Sequence, residues 1–298
     1  MKTARNLSFI VLTSFYPEAQ RAVCYADALA GGVGGRLLLL HANRISFVDP
    51  YIFAGESWRR QELADEPGIK AMLAQMAEQL HTPATVELLT DLLPAAARAL
   101  TRQHNPALFV VGRPTAEAAA PDQVSLMLLE LLRAVQLPLL LVPQRTGAAT
   151  PPRRVLIAAD SEAFALPRAA DGVKQLLHQL VPHVAIVHVS GIEDDENCAR
   201  ARHAVELSGL TTGLPSVEPR GYQYDRPADG ILAALDDTGA DLVLLLARQR
   251  SYLGELFHHS VTAEVLRRSP VPVLVVPAVD PKPAHRQQAK HTAGGMLA

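Results

Sequence analysis

An aspartate closing an apolar run, and a serine and a threonine opening a helical stretch, are the residues of this 298-residue chain best suited to holding a ligand. Asp160 ends the run VLIAAD. A carboxylate at the carboxyl end of a parallel strand sits at the lip of a cleft and can accept hydrogen bonds from a nucleoside. The same side chain, or that of Ser161, is equally suited to cap the following helix. Ser260 and Thr262 open the helical stretch HSVTAEVLRRS, and the free N–H groups of such an N-terminus attract phosphate. His41 and His188 occupy equivalent strand ends, where a hydrogen-bonded structural role outweighs contact with a ligand. His258 and His259 are adjacent, so their side chains diverge and do not converge on one metal. The glycines of AGGVGGR follow a helix and precede a strand, the reverse of a phosphate loop, and read as a helix-terminating turn. No G-x-S-x-G, Walker or complete G-x-G-x-x-G sequence occurs, and no nucleophile has an activating neighbour. The expectation is a protein that is not an enzyme.

The elements that must position these residues repeat once along the chain. LSFIVLTS, the helical AQRAVCYADALAGG and RLLLLHAN return as RRVLIAADS, LPRAADGVKQLLHQL and VAIVHVSG. Thr13 matches Asp160 and His41 matches His188 at one offset of 147 residues, which predicts opening β-α-β units of equal length. The copies continue with ALFVVGRP, LMLLELLRAV and LPLLLVP in the first, and DLVLLLARQ, VTAEVLRRS and VPVLVVP in the second. Continuous apolar runs separated by helical patterns are the mark of parallel strands covered on both faces. The predicted fold is α/β, with two tandem doubly wound (Rossmann-like) five-stranded parallel sheets. The last strands, LPLLLVP and VPVLVVP, are apolar on both faces and lie at sheet edges, so each copy is expected to cover the other's edge in an internal pseudo-dimer. Whether the full chain also forms a homodimer is left open by the residues.

The Pro-, Gly- and Thr-rich QRTGAATPPR marks the boundary, giving a first domain over 1–145 and a second over 151–279. The first copy carries an insertion at about 45–67 that holds Trp58, read as a cap over a cleft, an interface or a locally packed surface segment. Residues 280–298 lack a core pattern and read as a mobile tail. A hydrophobic fraction of 49% with 19% charged residues excludes a disordered chain. A formal net charge of −2 supplies no basic face for nucleic acid or anionic lipid. No apolar stretch reaches the roughly 20 residues that span a bilayer. Cys24 and Cys198 lack metal or CxxC spacing and read as reduced thiols, so the expected location is cytoplasmic.

An Asp closing the first strand, the second-strand ends LLHA and IVHV, a Pro-Ala dipeptide opening a helix, DLVLLL and HSVTAEVLRRSPVPVLVV together resemble the universal stress protein family. The resemblance implies a regulatory or nucleotide-sensing role, with ATP or AMP bound in many members and none in others. In binding members a G-x2-G-x9-G-[ST] loop follows the fourth strand, because glycines let backbone amides approach the phosphates. Here Ala247 stands at the first glycine, His259 at the last, the loop is one residue short, and Gly254 alone remains within it. Arg248 and Arg250 supply charge that a glycine-rich loop does not need. In the first copy Thr13 replaces the strand-end Asp, and GRPTAEAAAPDQVSL keeps Gly112 and Ser125 with Thr115 at the middle glycine. The resemblance therefore places a nucleotide contact set in the second copy: Asp160, Val189, Ala247, Arg248, Arg250, Gly254, His259, Ser260 and Val261. Two alternatives stand beside it: a protein-interaction module whose nucleotide sites have decayed, and a weak nucleotide hydrolase.

Overall fold

Runs of Leu, Val and Ile that avoid Gly and Pro suit strands buried on both faces, and that is what they form here. The computed structural model describes residues 6–13, 17–42, 66–89, 99–100, 102–113, 132, 137–143, 149–248 and 260–281. The strands are β1 (Ser8–Thr13), β2 (Arg36–Ala42), β3 (Ala84–Leu89), β4 (Ala107–Gly112), β5 (Leu139–Val142), β6 (Arg154–Ala158), β7 (His183–Ser190), β8 (Val217–Gln223), β9 (Leu242–Arg248) and β10 (Val273–Ala278). The principal helices are α1 (Pro17–Gly32), α2 (Glu66–Glu78), α3 (Asp171–Leu180), α4 (Asp195–Ser208), α5 (Pro227–Thr238) and α6 (Val261–Arg268). Of the insertion at about 45–67, residues 45–65 lie outside the described residues, Trp58 among them.

The strands form one sheet in the order β3-β2-β1-β4-β5-β10-β9-β6-β7-β8. Each half is parallel within itself, and the halves meet where β5 and β10 pair antiparallel, Leu139 to Val275, Leu140 to Leu274 and Leu141 to Val273. The expected pair of five-stranded sheets is thus present, joined through the last strands. Side chains alternate across the strands and build two cores. Phe9, Val11, Leu140, Val142, Ile157, Leu244 and Leu274 face α1, α3 and α4. Ile10, Leu12, Phe109, Leu141, Leu156, Val243 and Val275 face α5 and α6. Both layers run without interruption across the joint. The glycine-rich turn after α1 ends the helix as expected, with Gly34 in the left-handed region at φ +58.

One expectation is corrected. Ser8 lies opposite Arg36 in the first half, whereas Val155 lies opposite Val184 in the second, so the second β-α-β unit is one residue longer. His41 Nδ1 donates to Thr13 O and His188 Nδ1 donates to Ala159 O, both at 3.2 Å, which makes Ala159 the counterpart of Thr13. Thr13 is therefore no substitute for Asp160. It is a buried strand residue whose hydroxyl donates to Leu40 O at 3.1 Å. The position matching Asp160 is Ser14, outside the described residues.

Asp27 ties α1 to the turn before β3. Its carboxylate accepts from His81 N, His81 Nδ1 and Thr82 N at 2.9 to 3.1 Å. Burial pushes this carboxyl up, but the hydrogen bonds outweigh it and hold it below its ordinary value near 3.8. A lowered native value gives stability that is complete above the unfolded value and lost as pH falls through the native one. Asp27→Ala should lower stability by about 2 kcal/mol at neutral pH. It should also flatten the fall in Tm below about pH 4, measured by thermal unfolding across an acid series.

Tyr25, on α1, is buried with its hydroxyl unpartnered among the described residues. Burial first, and then the Asp241 carboxylate of the second half, push its hydroxyl well above its usual value. Tyr25→Phe removes a polar group buried without a partner and should raise stability by about 1 kcal/mol, read from denaturant midpoints.

Candidate functional site

Ligands of open α/β sheets bind outside the carboxyl ends of the strands, where the strand order reverses. In the second half that point lies between β6 and β9. Asp160 emerges just past β6 and Arg248 ends β9, facing each other across the switch. The two are joined: Arg248 Nε donates to Asp160 Oδ2 at 3.0 Å, and Nη2 donates to Oδ1 at 2.6 Å. Arg248 Nη1 donates to Ala163 O at 3.1 Å, and Nη2 also donates to Glu162 O at 2.6 Å. Asp160 Oδ1 further accepts from Glu162 N at 3.1 Å, which closes a tight turn. The Arg248 side chain is 7% exposed, and that of Asp160 53%. Glu162 and Asp280 place carboxylate oxygens 3.8 Å from Arg248 Nη1. Guanidinium and carboxylate meet as two parallel N–H···O bonds, the strongest arrangement open to such a pair.

The loop carrying Asp160 is fixed a second time. Beyond β10 the chain crosses the end of β9 and forms an antiparallel bridge with it. Ala165 N donates to Val279 O at 2.8 Å, and Val279 N donates to Ala165 O at 2.9 Å. The capping role read for Asp160 from sequence is corrected. α3 begins only at Asp171, so Asp160 does not cap it, and both carboxylate oxygens are engaged by the chain itself.

Of the expected contact set, the structure joins Asp160 and Arg248. Ser260 is the N-cap of α6: its hydroxyl oxygen accepts from Ala263 N at 3.1 Å, leaving its proton free to donate outward. Val261 opens that helix and is exposed. Val189, near the end of β7, lies against Gly230 of α5, where an added methyl would overlap the valine side chain. Ala247 is buried in β9, opposite Pro277 of β10. Arg250, Gly254 and His259 lie outside the described residues, as do Thr115 and Ser125 of the first copy.

Sequence reasoning missed Arg113. It follows β4 in the first half, yet its Nη1 donates to Leu266 O, Arg267 O and Ser269 O of the second half, at 3.2, 3.0 and 3.0 Å. These carbonyls belong to the C-terminal turn of α6, where a helix leaves acceptors unmet and favours a cation. Burial lowers the Arg113 guanidinium below its usual value. Arg113 aligns with Ala247, not Arg248, because Phe109 pairs with Leu139 as Val243 pairs with Val273. α6 is also tied to α5 by Arg226 with Glu264 and by Arg268 with Asp229. Among the described residues, no group of three or more His, Cys, Asp or Glu side chains is arranged to hold a metal.

The energetic asymmetry of the Asp160–Arg248 pair is testable. Asp160→Ala leaves a nearly buried guanidinium with two carbonyls and the carboxylates of Glu162 and Asp280 at 3.8 Å, and should cost about 2 kcal/mol. Arg248→Ala leaves a half-exposed carboxylate that water can solvate and should cost about 1 kcal/mol. Chemical denaturation of both variants and of the double variant gives the coupling directly.

The geometry accords with what this chain is similar to. The universal stress protein in Archaeoglobus fulgidus matches it with a TM-score of 0.62 at 18% identity, over 91% of this chain and 98% of that one, a likeness of fold. A putative universal stress protein of Pseudomonas aeruginosa matches at TM-score 0.47 and 15% identity, over 91% and 93%. A universal stress protein in complex with cAMP matches at TM-score 0.33 and 20% identity, over 43% of this chain and 98% of that one. No curated protein matches the sequence. The family model described as Universal stress protein family matches residues 151–277, the second half of the chain.

Proposed function

We propose that this protein is a non-enzymatic stress-response module that acts by binding and conformational signalling, with an adenine nucleotide, ATP or AMP, as the ligand of its second half. The observation behind this reading is the facing pair at the switch point: an acidic side chain at the end of β6 and a cation at the end of β9, with the N-terminus of α6 opened by Ser260. Carboxylate, guanidinium and helix N-terminus are the groups that a ribose and a phosphate call for. One carboxylate already engaged by an arginine is a poor acid or base for hydrolysis, which favours binding over catalysis.

The domain limits 1–145 and 151–279 and a cytoplasmic setting belong to the same reading. No helix among the described residues is long and apolar enough to cross a membrane. A homodimer of the full chain is a further part of the proposal, and nucleic acid is not among its expected partners. A second reading, a protein-interaction module without nucleotide, is favoured by one specific observation, that Asp160 is satisfied within the chain.

Calorimetric titration and thermal shift with ATP, ADP and AMP, with and without magnesium, separate the two. Saturable binding with a Kd below about 100 μM should raise Tm by several degrees at millimolar ligand. Silence with every nucleotide up to millimolar concentration would leave the protein-interaction reading. Phosphate release over hours in the same samples would restore the hydrolase.

A further inference from the structure

We propose that Arg248 is the specificity-determining residue of the second-half cleft, admitting nucleosides that carry a phosphate and turning away those that do not. The proposal rests on reading that cleft as a nucleotide site. A strand-end carboxylate serves a ligand only if its oxygens face the cleft. Here both oxygens of Asp160 are held by Nε and Nη2 of Arg248, and the guanidinium is further bound to Glu162 O and Ala163 O. Four of its five N–H donors are used in a place where 7% of the side chain is exposed.

Three of the carboxylate's four acceptor positions are used, so a ligand that needs both oxygens of Asp160 has to take them away from Arg248, and what it gives back decides whether it binds. The bridge between Ala165 and Val279 keeps the loop in place, so the guanidinium moves rather than the backbone. Glu162 and Asp280 place carboxylate oxygens 3.8 Å from Nη1, longer than the 2.6 and 3.0 Å of the two-pronged grip of Asp160. A phosphate does, because its oxygens match the guanidinium fork. A nucleoside without phosphate takes the carboxylate and leaves a nearly buried charge without an equal partner. Arg248 thus exchanges one anion for another, and only an anionic ligand completes the exchange.

Titration calorimetry of the full chain with adenosine and with AMP tests this, on the wild type and on Arg248→Ala. Thermal unfolding of each protein confirms that the variant is folded. The wild type should bind AMP at least tenfold more tightly than adenosine. In Arg248→Ala the preference should collapse to threefold or less, because adenosine no longer strands a charge and AMP no longer gains a partner. A variant that keeps the tenfold preference, or a wild type that binds both ligands equally, overturns the role of Arg248 while the nucleotide reading stands. Absence of binding by either ligand to either folded protein overturns the nucleotide reading itself, and the proposal with it.

Discussion

Three residue pairs between β5 and β10 govern the rest of this molecule. Each of these strands closes a five-stranded parallel sheet and is buried on both faces, so each would leave an apolar edge of unpaired backbone groups if its half stood alone. Pairing the two removes both edges and merges both cores. Leu140 and Leu274 meet on one face of the joint; Leu141 meets Val273 on the other. Because the pairing is antiparallel, the strands of the two halves run in opposite directions. The carboxyl ends of one half therefore lie beside the amino ends of the other, and the two strand-end clefts open at opposite ends of the common sheet.

That orientation explains why two arginines at nearly matching places do different work. A helix connecting parallel strands runs back against them, so the C-terminus of α6 lies at the amino ends of the second half, within reach of the carboxyl end of β4. Arg113 fills that place and meets its carbonyls. Arg248 sits one position further along its strand than the counterpart of Arg113. One step along a strand turns a side chain to the opposite face, so Arg248 meets Asp160 rather than a helix end.

Much of this fold is legible in the sequence, because strands buried on both faces are written as unbroken runs such as FIVL, RLLLL and LVLLL. β8 and α4 are not legible in that way. β8 reads VEPRGYQ, an edge strand covered by charge, with Arg220 bonded to Glu218 and Asp237. Edge strands carry polar residues because one side of their backbone stays unpaired, and the same polarity hides them from a search for apolar runs. The equivalence of Thr13 and Asp160 fails for a smaller reason. One extra residue in the second β-α-β unit leaves every side-chain pattern intact and shows only in the separation of each histidine from the carbonyl it meets, 28 residues in the first half and 29 in the second. The candidate site is legible as a set of residues and not as an arrangement. Asp160 and Arg248 are 88 residues apart, and no local pattern announces their pairing. The signal that was available is compositional: a basic residue at the end of one strand and an acidic residue at the end of another.

The helix that opens the candidate phosphate position depends on both halves. α6 is held at its N-terminus by its own Ser260, along its exposed side by α5, and at its C-terminus by Arg113 from the other half. A second half separated from the first would lose the Arg113 contacts and the β5 partner of β10 together. Its last strand would be bare, and the segment beyond it, which bridges to the Asp160 loop, would extend from an unsupported edge. The geometry of the second-half cleft is therefore a property of the joined chain: the halves repeat one another in sequence, but Arg113 and β5 make the first a structural component of the second.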